Sequence, residues 1–313
     1  MDTDPRIHVS LAHLRSLQSA AGGLSFLPRQ PSASVLNGRH ASRLRGRGLN
    51  FEEMRDYLPG DDIRSIDWKA TARTGSPHVR VFTEERDRPA LLVVDQRMSM
   101  FFGSKLNMKS VTAAEAAATA AFRILDASDR VGGIVFNDEE QVDFVPRRSQ
   151  RTVFALLESI VEMNNSLHAD KVVERTPASL NRVLGSVARF AHHDHLVVVF
   201  SDFDGIDDMT HRRLSGIAAH NDVLLVLVYD PLADGVTANP RTIIGDGTLQ
   251  AEVDFGSASI REAVDRFSKK RLERIYGWQS SINLSVLPLS SGEETLPQMR
   301  RLMAQLTPRR SAR

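Results

Sequence analysis

The sequence contains no cysteine, and only six of its 40 basic residues are lysines. The absence of cysteine excludes disulfide bonds, thiolate metal sites and catalysis by a cysteine nucleophile. The formal net charge is +1, so the chain as a whole has no electrostatic attraction to nucleic acid or to a membrane surface. The basic side chains are almost all arginines, whose guanidinium groups suit bidentate ion pairs.

Long hydrophobic runs are also absent. The longest are residues 196–200 and 223–229, well short of the roughly 20 residues that a membrane-spanning helix needs. The first residues, Met1 to Pro5, lack the basic and apolar segments of a secretory signal. We therefore expect a cytoplasmic protein with no membrane insertion.

The apolar content of 42% and the charged content of 25% are typical of a soluble globular protein. From residue 90 onward, short apolar runs alternate with helical patterns. We predict strands at residues 90–94, 131–136, 142–145, 196–200, 223–228 and 282–288. We predict helices at residues 8–21, 107–126, 152–163, 177–191, 210–219, 259–277 and 296–306, and a small hairpin in an insert at 230–257. Continuous apolar strands separated by helices predict an α/β fold with a mostly parallel sheet covered on both faces.

A dense polar block precedes this alternation. Residues 46–85 contain paired charges, glycines and one tryptophan, and neither helical nor strand periodicity runs through them. Residues 58–61 predict a turn, because proline presets φ and glycine accepts a positive φ. Residues 79–83 alternate as a strand does, so we predict a region of strands and loops.

Several motifs of this block resemble the signature of the bacterial family called domain of unknown function 58. They are Gly46-Arg47-Gly48, Tyr57-Leu58-Pro59-Gly60-Asp61-Asp62 and Asp67-Trp68, followed by Leu91-Leu92-Val93-Val94-Asp95. The resemblance implies a von Willebrand factor A-like (Rossmann-like) domain after the signature. We therefore expect an N-terminal helix and signature region at 1–88, the von Willebrand factor A-like domain at 89–290, and a C-terminal helix with an arginine-rich tail at 291–313.

Two predicted strands of this domain run directly into an acid, Asp95 and Asp202. Ligands of open α/β sheets bind beyond the carboxyl ends of the strands. In von Willebrand factor A domains this place holds a divalent cation on an Asp-x-Ser-x-Ser motif, a threonine and a second aspartate. The resemblance therefore implies a metal site made by Asp95, Ser99, Thr176 and Asp202. Thr176 also suits the N-cap of the following helix, so its role stays open.

Arg97 stands where the metal motif has its first serine. A guanidinium is a permanent cation with no lone pair to donate, so it opposes a metal ion at this place. Arg97 either turns into solvent and leaves a weakened site, or bridges Asp95 and Asp202 and supplies the charge of the metal. We favour a lost or weak site, with no cofactor or only weakly bound Mg²⁺ or Mn²⁺.

The polar residues of the signature have two interpretations. They form a structural clamp between the N-terminal region and the sheet, with Ile63, Ile66 and Trp68 buried against the α/β domain, or they present a surface to a partner. The candidates for partner binding are Asp61, Asp62, Arg64, Asp67 and Trp68, together with Arg97 at the strand ends.

Three other clusters favour ordinary surface roles. The basic run within residues 39–47 is balanced by nearby acids and lacks the stacking aromatics of single-strand binders, so we expect no nucleic-acid partner. The histidines within residues 192–195 predict a polar surface loop. The acids within residues 204–208 suit the N-terminus of a helix better than a pocket rim.

The resemblance implies a non-enzymatic protein. Family members are typically encoded beside a MoxR-type AAA+ ATPase, which makes an adaptor or co-chaperone of that ATPase the expected function. The pocket at Asp95, Ser99 and Asp202 would engage an acidic group of a partner through a metal or directly through Arg97, and we favour direct engagement by Arg97. The alternative is a metal-dependent hydrolase or phosphatase that uses Asp95 and Asp202, although no general base is evident. A third class, a purely structural protein, would be favoured by an Arg97 buried in a closed ion pair with no open pocket.

Overall fold

The computed structural model of this chain describes residues 4–22, 49–84, 89–169, 178–231, 241–245, 250–254, 271–282 and 284–306. These residues fall into two units, one within Met1–Phe26 and Arg88–Arg313 and the other within Leu27–Asp87. We call the first the sheet unit and the second the signature unit.

The elements are numbered along the chain. The strands are β1 Leu49–Asp56, β2 His78–Glu84, β3 Ala90–Asp95, β4 Val131–Phe136, β5 Gln141–Arg147, β6 Leu196–Ser201, β7 Asp222–Tyr229, β8 Arg241–Gly245, β9 Gln250–Asp254 and β10 Leu284–Ser290. The helices are α1 Leu11–Ala20, α2 Trp68–Thr74, α3 Lys109–Asp126, α4 Gln150–Asn165, α5 Ala178–Phe190, α6 Asp208–Ala218, α7 with helical residues 271–281, and α8 Thr295–Leu306.

A six-stranded sheet lies at the centre of the sheet unit, in the order β10–β7–β6–β3–β4–β5. All neighbouring strands are parallel except β4 and β5, which form an antiparallel pair at one edge. The strands β3, β4 and β6 are buried along their whole length. Burial on both faces explains their continuous apolar sequences. The predicted α/β fold with a mostly parallel sheet is confirmed.

Helices cover both faces of this sheet. Because successive strand residues point to opposite faces, Leu92 and Val94 join one apolar cluster while Leu91 and Val93 join another. The first cluster includes residues of α1, α3, α4 and α8, and the second includes residues of α5, α6 and α7. The small alanine side chains of α3 are buried against the sheet.

The helices α1 and α8 both belong to the first face, although the sequence analysis set them apart from the sheet domain. Leu14 of α1 and Met299 of α8 are fully buried in the cluster of that face. Ser10 caps α1, since its side chain accepts a hydrogen bond of 3.2 Å from the backbone N–H of His13. The unit that contains the sheet thus begins before the signature.

The signature unit consists of the antiparallel pair β1–β2 with a 3-10 turn at Ile63–Ser65 and the short helix α2 between them. The predicted strand at 79–83 is confirmed within β2, whereas α2 was not predicted. Asp67 caps its N-terminus by accepting from the N–H groups of Lys69 and Ala70, and Gly75 ends it with a φ of +82°. These are the usual start and stop residues of a helix, here with only seven helical residues between them in a polar segment.

The insert after β7 contains the predicted hairpin, in which β8 and β9 pair in antiparallel register. Among the described residues, no helix is both long enough and apolar enough to cross a membrane.

Candidate functional site

The carboxyl ends of β3 and β6 lie side by side because these two parallel strands are neighbours in the sheet. Asp95 is the last residue of β3 and Asp202 directly follows β6. Both carboxylates are buried, and one guanidinium nitrogen of Arg97 lies 2.7 Å from Asp95 and 3.8 Å from Asp202. The structure therefore brings together the two acids that the sequence singles out. We call this group of side chains the strand-end centre.

Arg97 lies inside the strand-end centre and is only 6% exposed. Its Nε donates to both carboxylate oxygens of Asp95, at 3.0 and 3.1 Å, and its Nη2 donates to Oδ2 at 2.7 Å. Its Nη1 donates to the carbonyl oxygen of Asp204 at 3.2 Å. Each side-chain nitrogen thus has an internal acceptor. Arg97 does not turn into solvent, and it is not presented at the surface.

A second cation, Lys109, completes the strand-end centre. Its Nζ donates to Oδ2 of Asp202 at 2.6 Å, and its side chain is 11% exposed. Lys109 is the first residue of α3, where the helix macrodipole disfavours a positive charge, and no side chain caps this helix. A lysine at the start of a helix is a sequence signal for a specific acidic partner, and Lys109 was not among the predicted site residues.

Hydroxyl and backbone donors occupy the remaining places around the carboxylates. Ser201 donates to Oδ2 of Asp95 at 2.5 Å, and the backbone N–H of Arg97 donates to Oδ1 at 3.0 Å. Ser99 donates to Oδ1 of Asp202 at 3.3 Å, and the N–H of Asp204 donates to the same oxygen at 3.0 Å. Every carboxylate oxygen of the two aspartates therefore accepts at least one hydrogen bond.

The charges of the strand-end centre hold each other in the ionised state. Burial opposes the charge on Arg97, but the attraction and hydrogen bonding of Asp95, together with the attraction of Asp202 and Asp138, outweigh burial and raise the pKa of Arg97 above its usual value. Burial alone would raise the pKa of Asp202 as well. Attraction from Lys109 and from two arginines outweighs burial and holds the pKa of Asp202 below its usual range.

A divalent cation does not fit this arrangement. Mg²⁺ and Mn²⁺ require oxygen lone pairs, and here those of Asp95 and Asp202 accept hydrogen bonds, several of them from cationic donors. Thr176, the remaining ligand implied by the resemblance, lies outside the described residues. In the part of the chain that the structure describes, no group of three or more histidine, aspartate or glutamate side chains could hold a metal ion.

The acidic residues after β6 have separate roles. Asp207 is the N-cap of α6 and forms a reciprocal capping box with Thr210, as expected for acids at a helix N-terminus. Asp204 instead belongs to the rim of the strand-end centre. Its carboxylate accepts from Arg271 at 2.5 Å, and Arg271 also donates to the carbonyl oxygen of Asp202 at 3.2 Å. Arg271 is a second contributor that the sequence did not reveal.

The acids of the signature unit serve its local structure. Arg55 forms two hydrogen bonds of 2.8 Å with Asp61, and they lower the pKa of Asp61 to about 2. Asp67 pairs with Arg80 at 2.6 Å, and Asp62 caps the 3-10 turn by accepting from the N–H of Arg64. The expected lock of arginine–carboxylate pairs is present, with partners from β1 and β2.

Several large apolar side chains of this unit are exposed, although Val79 is buried and Ile66 is half-buried. Trp68 is 69% exposed, Ile63 is 64% exposed and Leu58 is 59% exposed. The expectation that Ile63 and Trp68 are buried is therefore wrong. Asp67 and Gly75 fix the ends of α2 and so place Trp68 at its first turn, and Arg64 in the preceding 3-10 turn is also exposed.

Comparison with known proteins gives a consistent result for most of the chain. The profile of the family described as "Protein of unknown function DUF58" matches residues 53–274, which include the strand-end centre and, separately, most of the described signature unit. Uncharacterized proteins of Mycobacterium bovis and of two Mycobacterium tuberculosis strains are each 31% identical to this chain over 215 residues. The match covers 69% of this chain and 66% of each relative, a little less than two thirds of their length.

Proposed function

This chain belongs to the DUF58 family, and from that premise we propose that it is a protein-binding module without catalytic activity. Its sheet unit is proposed to be a von Willebrand factor A-like domain with a degenerate metal site. Its partner is proposed to be a MoxR-type AAA+ ATPase, for which it acts as adaptor or co-chaperone. The resemblance supplies the identity of the ATPase, and the features below support a binding role.

The observation that carries this proposal is the exposed apolar surface of the signature unit. Trp68, Ile63 and Leu58 are exposed on a unit that ion pairs hold in shape, and Arg64, in the same stretch of sequence, is exposed as well. Tryptophan and arginine are the residues most often found at binding hot spots, and rigid presentation lowers the entropic cost of binding. We call these four residues the signature surface. It suits a partner that offers an apolar pocket and an acidic side chain.

The strand-end centre supports a different part of the proposal. Arg97 is buried in a closed ion pair, so direct capture of a partner's acidic group by this side chain would first require that pair to open. We therefore assign the strand-end centre a structural role and assign partner binding to the signature surface.

The same geometry counts against the alternative of a metal-dependent hydrolase. Such an enzyme needs carboxylates that are free to hold metal and a base near the substrate. Here Asp95 and Asp202 are each paired with a cation. Turnover of a generic phosphate ester with Mg²⁺ or Mn²⁺ that disappears in Asp95→Ala would favour the enzyme and contradict our proposal.

The binding role is tested with the full chain and a purified MoxR-type ATPase from the same organism. We expect a saturable interaction by surface-immobilised binding, weakened about 30-fold or more by Trp68→Ala, since a hot-spot truncation costs at least about 2 kcal/mol. Met209→Ala is the matched control, because Met209 is an exposed apolar residue of the sheet unit. Failure of the wild-type chain to bind would refute the ATPase partnership.

The structural-clamp interpretation of the signature makes the opposite prediction. If Trp68 has only a structural role, Trp68→Ala lowers the melting temperature of the chain and leaves binding unchanged. If Trp68 contacts the partner, the substitution changes stability by no more than about 0.5 kcal/mol, as is usual for surface positions, and weakens binding.

A further inference from the structure

The charges of the strand-end centre balance without any ion. Its four nearly buried charges are two carboxylates, Asp95 and Asp202, and two cations, Arg97 and Lys109. The less buried Asp138 and the Arg271–Asp204 pair lie around these four charges and are not part of this count. A divalent cation would contribute the same two positive charges to the same two acids. The two cations come from separate elements, the loop after β3 and the first residue of α3.

The two cations also take the coordinating atoms that an ion would need. Arg97 Nη2 lies 2.7 Å from Asp95 Oδ2, and Lys109 Nζ lies 2.6 Å from Asp202 Oδ2. Ser99, whose hydroxyl would be a ligand in the metal motif, instead donates a hydrogen bond to Asp202. A hydroxyl that donates to a carboxylate can still offer a lone pair, but the carboxylate oxygens around it are shared with cations.

We propose that Arg97 and Lys109 together replace the divalent cation at the ends of β3 and β6, so that the centre is permanently assembled and independent of metal. Replacing Arg97 alone does not free both carboxylates for a metal ion, because Lys109 still neutralises Asp202. Metal binding is therefore recovered fully only when both positions lose their charge. This inference concerns the strand-end centre and does not rest on the proposed ATPase partner.

The first arm of the test uses the wild-type chain. Thermal unfolding is followed with EDTA, with MgCl₂ and MnCl₂ over a range of concentrations, and with NaCl at matched ionic strength. We expect the divalent salts to shift the melting temperature no more than NaCl does, because no oxygen set is free to bind them. A saturable rise with Mg²⁺ or Mn²⁺ would overturn the proposal, since anything that binds only the folded state stabilises it.

The second arm compares Arg97→Ser, Lys109→Met and the double variant by calorimetric titration with Mn²⁺. The matched controls are Arg182→Ser and Lys105→Met, which remove the same charges from exposed positions of the sheet unit. We expect no binding by the wild type or the controls. The double variant should bind Mn²⁺ at least tenfold more tightly than either single variant, and its melting temperature should rise with Mn²⁺.

Each outcome of the second arm decides the proposal. A double variant that folds only when Mn²⁺ is added supports it as directly as a titration curve does. A folded double variant that does not bind Mn²⁺ overturns it, because the oxygens then do not form an ion site once the cations are gone. A double variant that stays unfolded at every Mn²⁺ concentration overturns it for the same reason.

Discussion

Lys109→Met removes the charge that pairs with Asp202 while keeping a chain of similar length, so it measures the contribution of one ion pair of the strand-end centre. At 2.6 Å the gross attraction is about 6 kcal/mol at an effective dielectric constant near 20. Breaking a buried pair by removing one partner costs about 3–5 kcal/mol. Asp202 keeps its hydrogen bonds from Ser99 and the N–H of Asp204, so we expect the lower end, about 3 kcal/mol.

The assay is urea unfolding of the full chain followed by circular dichroism, with thermal unfolding as a second readout. A loss of about 3 kcal/mol corresponds to a drop of about 6–12 °C in melting temperature for a unit of this size. The matched control is Lys105→Met on the exposed loop before α3, which should change stability by less than about 0.5 kcal/mol.

The pH dependence of unfolding distinguishes the loss of the Lys109 charge from any loss of side-chain packing in Lys109→Met. In the wild type the pKa of Asp202 is held below its usual range, so the stability that this ionisation contributes is present above about pH 3.9 and is lost as pH falls through the lower folded pKa. In Lys109→Met the main attraction is gone and the folded pKa of Asp202 rises. The stability deficit of the variant should therefore be constant near neutral pH and shrink as pH falls through the raised folded pKa of Asp202 in the variant. A deficit that equals that of Lys105→Met, or one that does not change with pH, would refute this account of the pair.

Two further perturbations test other parts of the fold. The hydrogen bond of 2.6 Å to Glu115 raises the pKa of His13. The stability that protonated His13 contributes is therefore full below about pH 6.5 and is lost as pH rises through its folded pKa. His13→Gln should abolish that pH dependence in urea unfolding between about pH 6 and pH 9, and an unchanged profile would contradict this. A Cβ at Gly133 would lie 2.5 Å from the carbonyl oxygen of Leu92, so Gly133→Ala should destabilise the chain by about 1–3 kcal/mol or more in the same assay. Gly216→Ala is the matched control, because its Cβ meets nothing within 4 Å on α6, and it should stabilise the chain by about 0.5–1 kcal/mol; equal effects of the two substitutions would refute the close-approach argument.

The sheet could be predicted from the sequence because its signal is local. The strands β3 and β6 are continuous apolar runs, and the acids that end them lie at the same edge of a parallel sheet by topology alone. A chemical mismatch in the metal motif was sufficient to identify Arg97 as decisive. The sequence left open whether it turns outward, and the buried acceptors of Asp95 and Asp204 decide that it does not.

The parts that could not be predicted depend on distant pairs or on very short elements. Lys109 is 93 residues from Asp202, and Arg271 is 67 residues from Asp204, so no local pattern joins them. The helix α2 has seven residues, too few for a periodic pattern. The prediction that Trp68 is buried was wrong because an apolar side chain does not by itself indicate burial. Much of any protein surface is apolar.

One buried chain of amide groups explains how the strand-end centre holds two separate cations in place. Gln96, beside Arg97, donates from its side chain to the carbonyl oxygen of Ser110, beside Lys109, at 3.1 Å. Asn164 of α4 donates to the side-chain oxygen of Gln96 at 2.9 Å and accepts from the N–H of Val9 at 2.9 Å. Because Gln96 and Asn164 are fully buried, these bonds are protected from competing water. The same chain therefore ties the two cation-bearing segments to each other and to the segment before α1, so that neither cation needs to be ordered by its carboxylate alone.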